Sequence, residues 1–269
     1  ILLMTKKIHI HADDFGRSEL ISQNILKCID NKNISSISVL VGFNEKYFDN
    51  IIKKKVNIKL HINLTESYKN FLINRSYTFF ELLFLQLNPN FSQHKKIIID
   101  QIETQIQYFK KKFKINDIKI DSHEHIHIIP WINKILIDLK KKHKIIEIRN
   151  PSEKFYFVGL KYFINFTYLT NLLKLTLIKF LNIFNDIDKT NNFTGLNYTG
   201  IQNIKTIKKG IDQYINSDKN IEVLIHPGYT NLKEKEKFNK KYFRYYSSSE
   251  RLREFEIVSS ENFVKDLLI

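Results

Sequence analysis

Ile118-Lys119-Ile120-Asp121-Ser122-His123-Glu124-His125-Ile126-His127 joins a short strand-like run to three of the nine histidines of the chain. Continued as a strand, this sequence would place Asp121 and all three histidines on one face, because side chains alternate along a strand. Continued as a helix, it would align only His123 and His127, which are four residues apart. Either geometry sets neutral imidazoles beside a carboxylate, which is a ligand set that divalent metals prefer. The alternative is an exposed, histidine-rich loop whose side chains do not bind a metal.

Other strand-like runs also end in polar residues that are capable of chemistry. They lie at 7–11, followed by Asp13 and Asp14, at 58–62 with His61, at 145–148 before Arg149, and at 221–225 before His226. Helical patterns fill most of the intervals between these runs, and the clearest one spans residues 93–114. Alternating β and α elements imply parallel strands, and α/β barrels carry their functional residues at the carboxyl ends of such strands. We therefore expect a single α/β barrel domain over residues 1–269.

The composition limits the classes of function. The net charge of +15 is typical of proteins that bind nucleic acid. The lysines, however, are spread over most predicted helices, and no nucleic-acid-binding motif accompanies them, so nucleic acid is not an expected partner. Cys28 is the only cysteine, which excludes an intramolecular disulfide. With no secretory signal in the first residues, a cytoplasmic location is expected.

Residues 155–184 are strongly apolar and aromatic. Their longest uncharged run, 162–173, is shorter than the roughly 20 residues that cross a bilayer. Lys161, Lys174 and Lys179 interrupt the span further. We therefore expect a buried helix pair or a lid rather than a transmembrane helix. Because apolar residues mixed with lysine are also typical of helices at membrane surfaces, a membrane-surface contact stays open.

Five motifs together resemble the YdjC-like carbohydrate (chitooligosaccharide) deacetylases. They are His11-Ala12-Asp13-Asp14-Phe15-Gly16, His61-Ile62-Asn63-Leu64-Thr65-Glu66, Asp121-Ser122-His123-Glu124-His125-Ile126-His127, Arg149-Asn150-Pro151 and His226-Pro227-Gly228-Tyr229. Arg251 and Glu254 resemble the C-terminal Arg-x-x-Glu pattern of the family. The motifs follow the family order across nearly the whole chain, whereas residues 155–185 match none of them.

The resemblance implies a distorted (β/α) TIM-like barrel with a mostly helical apolar insertion near 155–185. It also implies a hydrolase that removes the acetyl group from an N-acetylated sugar, glycan or glycolipid with one divalent metal ion. Carried over by motif, Asp14, His61 and His123 are the expected metal ligands. Asp13 is the expected general base and His226 the expected general acid. A metal ion suits this chemistry, because it lowers the pKa of a bound water from 15.7 towards about 7.

The other motif residues are expected to bind the sugar or to orient the ligands, and Arg149 in particular to hold Asp13 or the sugar. They are Asp121, His125, His127, Arg149, Arg251 and Glu254. Two imidazoles and a carboxylate favour Zn²⁺ on ligand softness, whereas the family is associated with Mg²⁺, so the metal stays open. A homodimer is also left open.

Two other classes of function compete with this interpretation. A metal-free glycoside hydrolase would need paired acids across a cleft. Here Asp13 and Asp14 are adjacent in sequence, and the opposing groups are histidines. A basic, non-catalytic protein that binds a membrane surface or nucleic acid is the second alternative.

Overall fold

The computed structural model describes residues 7–54 and 56–268. Its strands are β1 (Ile8–Phe15), β2 (Ser36–Val39), β3 (Asn57–Ile62), β4 (Ile118–Ser122), β5 (Ile145–Ile148), β6 (Asn192–Thr194) and β7 (Ile221–Ile225). Its helices are α1 (Glu19–Asp30), α2 (Phe48–Ile52), α3 (Phe79–Phe84), α4 (Phe91–Phe113), α5 (Pro130–His143), α6 (Phe166–Asn182), α7 (Ile204–Asp212), α8 (Lys240–Tyr246), α9 (Ser249–Val258) and α10 (Phe263–Leu268). The expectation that the chain lacks a secretory signal rests largely on residues 1–6, which lie outside the described residues.

The seven strands form one parallel sheet in the order β5-β4-β3-β2-β1-β7-β6. The predicted α/β class is therefore confirmed. Strand β6 was not predicted, because three residues are too few to show a pattern of alternation.

The sheet curls until strands that are distant in its order meet inside it. Five strand spacings separate β5 from β7, which would amount to roughly 24 Å in a flat sheet. Nevertheless Arg149 Nε, just after β5, lies 2.7 Å from Oε1 of Glu222 on β7. Between the two edge strands, the described residues form no pairing, and a small polar hollow lined by Ile148 and Asn192 lies there. This curl is consistent with the expected distorted barrel.

Most helices agree with the sequence patterns. The apolar stripe of α4 is buried as predicted, at Ile98, Ile102, Ile106, Phe109 and Phe113. The lysine-rich sequence at about 44–55 predicts a helix, but the helix is shorter and spans Phe48–Ile52. The charged sequence of residues 230–248 predicts a loop, but the segment contains a 3₁₀ helix at Leu232–Lys237 and the helix α8. The prediction of a loop is wrong because the many charges of this segment hide the apolar face on which α8 buries Tyr242 and Tyr246.

The apolar segment forms one α-helix, α6, preceded by a 3₁₀ turn at Leu160–Tyr162. The segment therefore contains one α-helix and not the helix pair that was one of two expectations, and the other expectation, a lid, stays a prediction. One face of α6 is buried in a small core with Phe193 and Leu224. Side-chain amides tie the helix to segments that follow three strands, through Asn171 to the Thr199 carbonyl, Asn182 to Asn150 and Asn185 to the Ile128 carbonyl. Helix α6 thus lies across the carboxyl ends of the strands. In the described part of the chain, no helix is long and apolar enough to cross a membrane.

Candidate active site

A bulge at the end of β1 directs the side chains of both Asp13 and Asp14 towards the same site. The pairing with β2 shifts register between Ala12 and Phe15, and Asp14 has a left-handed φ of 73°. In a regular strand these neighbours would point to opposite faces, but a bulge redirects a side chain, and aspartate tolerates the left-handed conformation better than most residues. Both carboxylates are 2% exposed and face the interior groups described below. Two adjacent acids can therefore serve different partners.

Asp14, His61 and His123 converge at the carboxyl ends of β1, β3 and β4. Asp14 Oδ1 lies 3.3 Å from His123 Nδ1 and 3.7 Å from His61 Nε2. Donor atoms that share one ion at about 2.1 Å stand roughly 3–3.5 Å apart. One donor atom from each of the three buried residues lies within 4.8 Å of the others. The donor set and its spacing therefore fit a divalent metal ion.

The electrostatics of this group also suit a cation. Burial by itself raises the pKa of Asp14, but His123 and Arg251 lower it well below its usual value. The buried Nε2 of His123 has no hydrogen-bond partner among the described residues. A carboxylate that stays ionised beside two imidazoles is a site that a divalent ion can occupy without displacing a proton from the acid.

The residues around these three donors fix their orientation. His61 and Asp121 are paired in register on β3 and β4, and His61 Nδ1 donates a hydrogen bond to Asp121 Oδ1 at 2.5 Å. This leaves His61 Nε2 directed towards Asp14. Burial by itself lowers the pKa of His61, but Asp13 and Asp121 raise it above its usual value.

The histidine-rich stretch adopts neither of the two expected geometries. Strand β4 ends at Ser122, and residues His123–Ile128 form a 3₁₀ helix in which Glu124 and His125 have left-handed φ angles of 53° and 55°. The backbone N–H of His127 donates to Ser122 Oγ at 2.9 Å and closes the turn. Both ring nitrogens of His127 are engaged, one with Ser122 Oγ and the other with the carbonyl oxygen of Arg149. His127 therefore supports Arg149 rather than a candidate ligand.

Arg149 binds Asp13 through two parallel hydrogen bonds. Its Nη1 and Nη2 donate to Oδ2 and Oδ1 of Asp13 at 3.0 and 2.9 Å, and Nη2 also lies 2.7 Å from Asp121 Oδ2. Burial by itself raises the pKa of Asp13, but Arg149 and His61 lower it well below its usual value. Asp13 is consequently ionised at neutral pH and held in one orientation.

A second cluster, His11, Asp13 and Asp121, also has the donor types of a metal site. Here the positive charge is already supplied by Arg149, which binds both carboxylates. Both ring nitrogens of His11 pair at 2.7 Å with serine hydroxyls, those of Ser36 and Ser38. This cluster is therefore a buried ion-pair network, and the Asp14 group is the better candidate for a metal.

His226 follows β7 and is held in place through its backbone. Its N–H donates to Glu254 Oε1 at 2.6 Å, and its carbonyl accepts from Arg251 Nη1 at 3.2 Å. Arg251 and Glu254 are three residues apart on α9, so they share one face, and Arg251 also reaches Asp14 Oδ2 at 3.3 Å. Burial and the nearby Arg251 lower the pKa of His226 to about 3. Its buried Nδ1 has no partner among the described residues.

Helix α8 and the turn after β4 form a rim beside the histidines. The ring of Tyr242 lies 5.7 Å from that of His123, and its hydroxyl donates to Glu124 Oε1 at 3.3 Å. His125 is half-buried in the same turn, and its Nδ1 has no partner within the described ranges. His125 contacts none of the candidate ligands by a hydrogen bond that the structure describes. Its role in binding sugar or orienting ligands stays a prediction.

Sequence reasoning missed the buried charges beneath the site. Lys59 on β3 lies 2.5 Å from Glu222 Oε2 and 2.8 Å from Glu147 Oε1, and Glu222 in turn binds Arg149. The available signal was the presence of opposite charges in the middle of otherwise apolar strands. The contacts of His11 with Ser36, Ser38 and Asp13 were also not predicted, although His11 begins the first of the five motifs.

Comparisons with known proteins indicate the family and the fold of the chain. A family model described as "YdjC-like protein" matches residues 7–268, which confirms the resemblance drawn from the motifs. A carbohydrate deacetylase from Xenopus laevis is 24% identical over 296 residues, which cover 94% of this chain and 91% of that protein. A crystal structure from Enterococcus faecalis, named as a candidate cellobiose-phosphate cleavage protein, has a TM-score of 0.61 at 17% identity, over 98% of this chain and 94% of that one. The last comparison shows a shared fold.

Proposed function

Because this chain belongs to the YdjC-like family, we propose that it is a hydrolase that removes the acetyl group from an N-acetylated sugar with one divalent metal ion. The relative named as a carbohydrate deacetylase supports the reaction class. The observation that carries the proposal is the convergence of Asp14, His61 and His123 at the carboxyl end of the sheet. We include in the proposal that the curled sheet is a distorted TIM-like barrel of one domain, with α6 placed across the gap between β5 and β6.

In this proposal Asp14, His61 and His123 would hold the ion. When bound, a divalent ion would lower the pKa of a water molecule and polarise the carbonyl group that this water attacks. Asp13 would accept the proton of that water at a carboxylate oxygen. Arg149 keeps Asp13 ionised and in one orientation, so that its carboxylate can accept a proton. The same ion pair lowers the basicity of that carboxylate. Asp121 orients His61 through its Nδ1.

His226 passes a proton to the departing amine. A histidine with a pKa of about 3 is neutral at pH 7. It must therefore acquire its proton during turnover, and the proton that Asp13 accepts from the water balances the one that His226 delivers to the amine. Negative charge that develops on the attacked oxygen raises the pKa of the ring for this transfer. The unpartnered Nδ1 of His226 is the atom available for this transfer. Glu254 and Arg251 hold the backbone of His226, so the ring faces the site without a side-chain tether.

The arrangement is unfavourable for a metal-free glycoside hydrolase. That mechanism needs two carboxyl groups on opposite sides of the scissile bond, one of which carries a proton. Asp13 and Asp14 come from adjacent positions on β1, and both have pKa values lowered below the usual range for aspartate by neighbouring cations and imidazoles, against the effect of burial. Neither is suited to donate a proton.

The proposal is tested by stripping the purified protein of metal with a chelator and measuring acetate release from a soluble chitooligosaccharide. Activity should be lost and then restored by Zn²⁺ or Mg²⁺ alone. His123→Ala should abolish both metal binding and activity. His143→Ala is the matched control, because His143 lies at the end of α5 and bonds Glu103 instead. Full activity of the stripped protein, or a full equivalent of metal in His123→Ala, would contradict the proposal.

A further inference from the structure

Helix α6 has a second apolar face that points away from the protein. It carries Phe166, Leu169, Leu173 and Phe180, and Phe184 continues the same stripe just beyond the helix. Phe166 is 79% exposed and Leu173 is 72% exposed, although the opposite face of the helix is buried in the core. A surface helix usually presents polar residues to water, and an exposed apolar patch marks a site of interaction. We refer to this stripe as the α6 surface.

The charges within the segment that carries the α6 surface all have one sign. Residues 154–185 contain four lysines, Lys154, Lys161, Lys174 and Lys179, and no acidic residue. The preceding turn adds the exposed Leu160, Phe163 and Ile164. The partner must therefore offer an apolar layer together with negative charge.

A cationic hollow adjoins the α6 surface. It measures about 380 Å³ and is lined by Phe157 and Val158 and by the α7 residues Lys205, Lys208, Lys209 and Asp212. The rings of Phe157 and Phe163 are in contact, with their centroids 4.4 Å apart, so the hollow is continuous with the exposed aromatic residues. Aromatic residues thus lie directly beside lysines, as they do where a protein meets the headgroup layer of a bilayer.

We infer that the α6 surface docks on an anionic lipid bilayer. Only a bilayer surface combines an extensive apolar layer with a dense sheet of negative headgroups, and apolar residues with flanking lysines suit it. A second copy of this chain fits less well, because two such surfaces would bring together lysines that outnumber the nearby acids. Since α6 cannot cross a membrane, it would lie in the plane of the interface.

Docking in this way would bring the candidate active site close to the lipid. Helix α6 is tied to Asn150 and to the Ile128 carbonyl, both of which follow strands that carry site residues. The carboxyl end of the sheet therefore lies beside the docking surface. Docking does not require the deacetylase activity proposed above, so a vesicle experiment can be interpreted without a substrate.

The test is sedimentation of the purified protein with vesicles. The protein should bind phosphatidylcholine vesicles that contain phosphatidylglycerol and should not bind phosphatidylcholine alone. The double variant Leu173→Ser/Phe180→Ser should weaken this binding by about tenfold or more, because it removes apolar burial in the interface. Leu232→Ser/Ile52→Ser is the matched control, since both side chains are exposed and lie on other surfaces. The control should bind like the wild type.

A second pair of variants tests the charge separately. Lys205→Gln/Lys208→Gln should weaken binding about tenfold or more, since each lysine near an anionic surface contributes measurably to affinity. Lys53→Gln/Lys111→Gln is the control pair and should have a smaller effect, because Lys53 lies just after α2 and Lys111 lies on α4. Absence of binding to the anionic vesicles would overturn the inference, as would equal effects of test and control variants. A dimer in solution that Leu173→Ser/Phe180→Ser dissociates would also overturn it and would assign the α6 surface to a second copy.

Discussion

His61 and Asp121 form a hydrogen-bonded pair across β3 and β4, with Nδ1 of the imidazole 2.5 Å from Oδ1 of the carboxylate. The two residues are opposite each other in the parallel register, so the backbone itself sets the contact. The pair fixes the tautomer of His61 and leaves Nε2 facing Asp14. Carboxylates that orient a metal-binding imidazole in this way also raise its basicity. Asp121 thus belongs to the candidate metal site without offering it a ligand atom.

Asp121→Asn should therefore weaken metal binding without abolishing it. Loss of such an orienting carboxylate typically costs roughly 10–100-fold in affinity. Competition with a chromogenic chelator measures this affinity directly. Asp117→Asn is the matched control, since Asp117 is exposed just before β4, and it should bind metal like the wild type. Unchanged affinity in Asp121→Asn would show that His61 needs no orienting partner.

The buried network of Lys59, Glu222 and Arg149 makes a prediction about stability. Glu222→Gln removes one charge from a buried ion pair, and breaking such a pair typically costs 3–5 kcal/mol. Because Lys59 retains Glu147 and Arg149 retains Asp13, we expect the lower end, about 3 kcal/mol of unfolding free energy at pH 7. Urea denaturation measures the difference. The exposed substitution Glu256→Gln should change the unfolding free energy by less than about 0.5 kcal/mol.

The same variant has a predictable dependence on pH. Burial by itself raises the pKa of Glu222, but Lys59 and Arg149 lower it to about 2. A carboxylate with a lowered pKa contributes stability that is fully present above the pKa of the unfolded chain and is lost as the pH falls towards 2. The difference between wild type and Glu222→Gln should therefore be constant from pH 7 to about 5 and shrink by about 1 kcal/mol near pH 3.5. A difference that stays constant to pH 3.5 would contradict the lowered pKa.

The sequence predicted the fold where its pattern repeats and failed where structure depends on distant contacts. The runs that end in Asp14, His61 and His226 could be recognised as strands, since alternating apolar residues lead directly to a polar end. By contrast, the turn after β4 depends on left-handed conformations at Glu124 and His125, which neither a strand nor a helix pattern contains. Its geometry is closed by Ser122 and by the Arg149 carbonyl, which is remote in sequence.

The candidate site could be assembled from the sequence only as a set of strand ends. That set included Asp13, Arg149 and His226, and the structure brings them to one end of the sheet. The sequence offered Asp13 as one of two partners for Arg149, but it could not indicate Glu222, because Arg149 meets Glu222 only after the sheet curls. The outward face of α6 was equally hidden, since an apolar helix gives the same pattern whether one face or both are covered.

Asp13→Asn separates proton transfer from metal binding. The substitution keeps the size of the side chain but removes its basicity, so the ion should stay bound while turnover falls by roughly 10²–10⁴-fold. The Asp14→Asn variant is the comparison, because it removes a proposed metal ligand and should no longer bind the ion. Elemental analysis and steady-state rates on the same samples give both quantities. If Asp13→Asn lost the metal as well, Asp13 would be a ligand and not the base.

His226→Ala should keep the metal and slow turnover, and the size of its defect should depend on the leaving group. An amide needs a proton on the departing nitrogen, whereas an activated acetate ester releases a stable anion without one. The rate should therefore fall by roughly 10²–10⁴-fold on the N-acetylated sugar and much less on the ester. His127→Gln is a useful comparison, because His127 supports the Arg149 carbonyl and should slow both substrates alike. Equal losses on amide and ester in His226→Ala, or loss of the metal, would make His226 a sugar contact or a ligand.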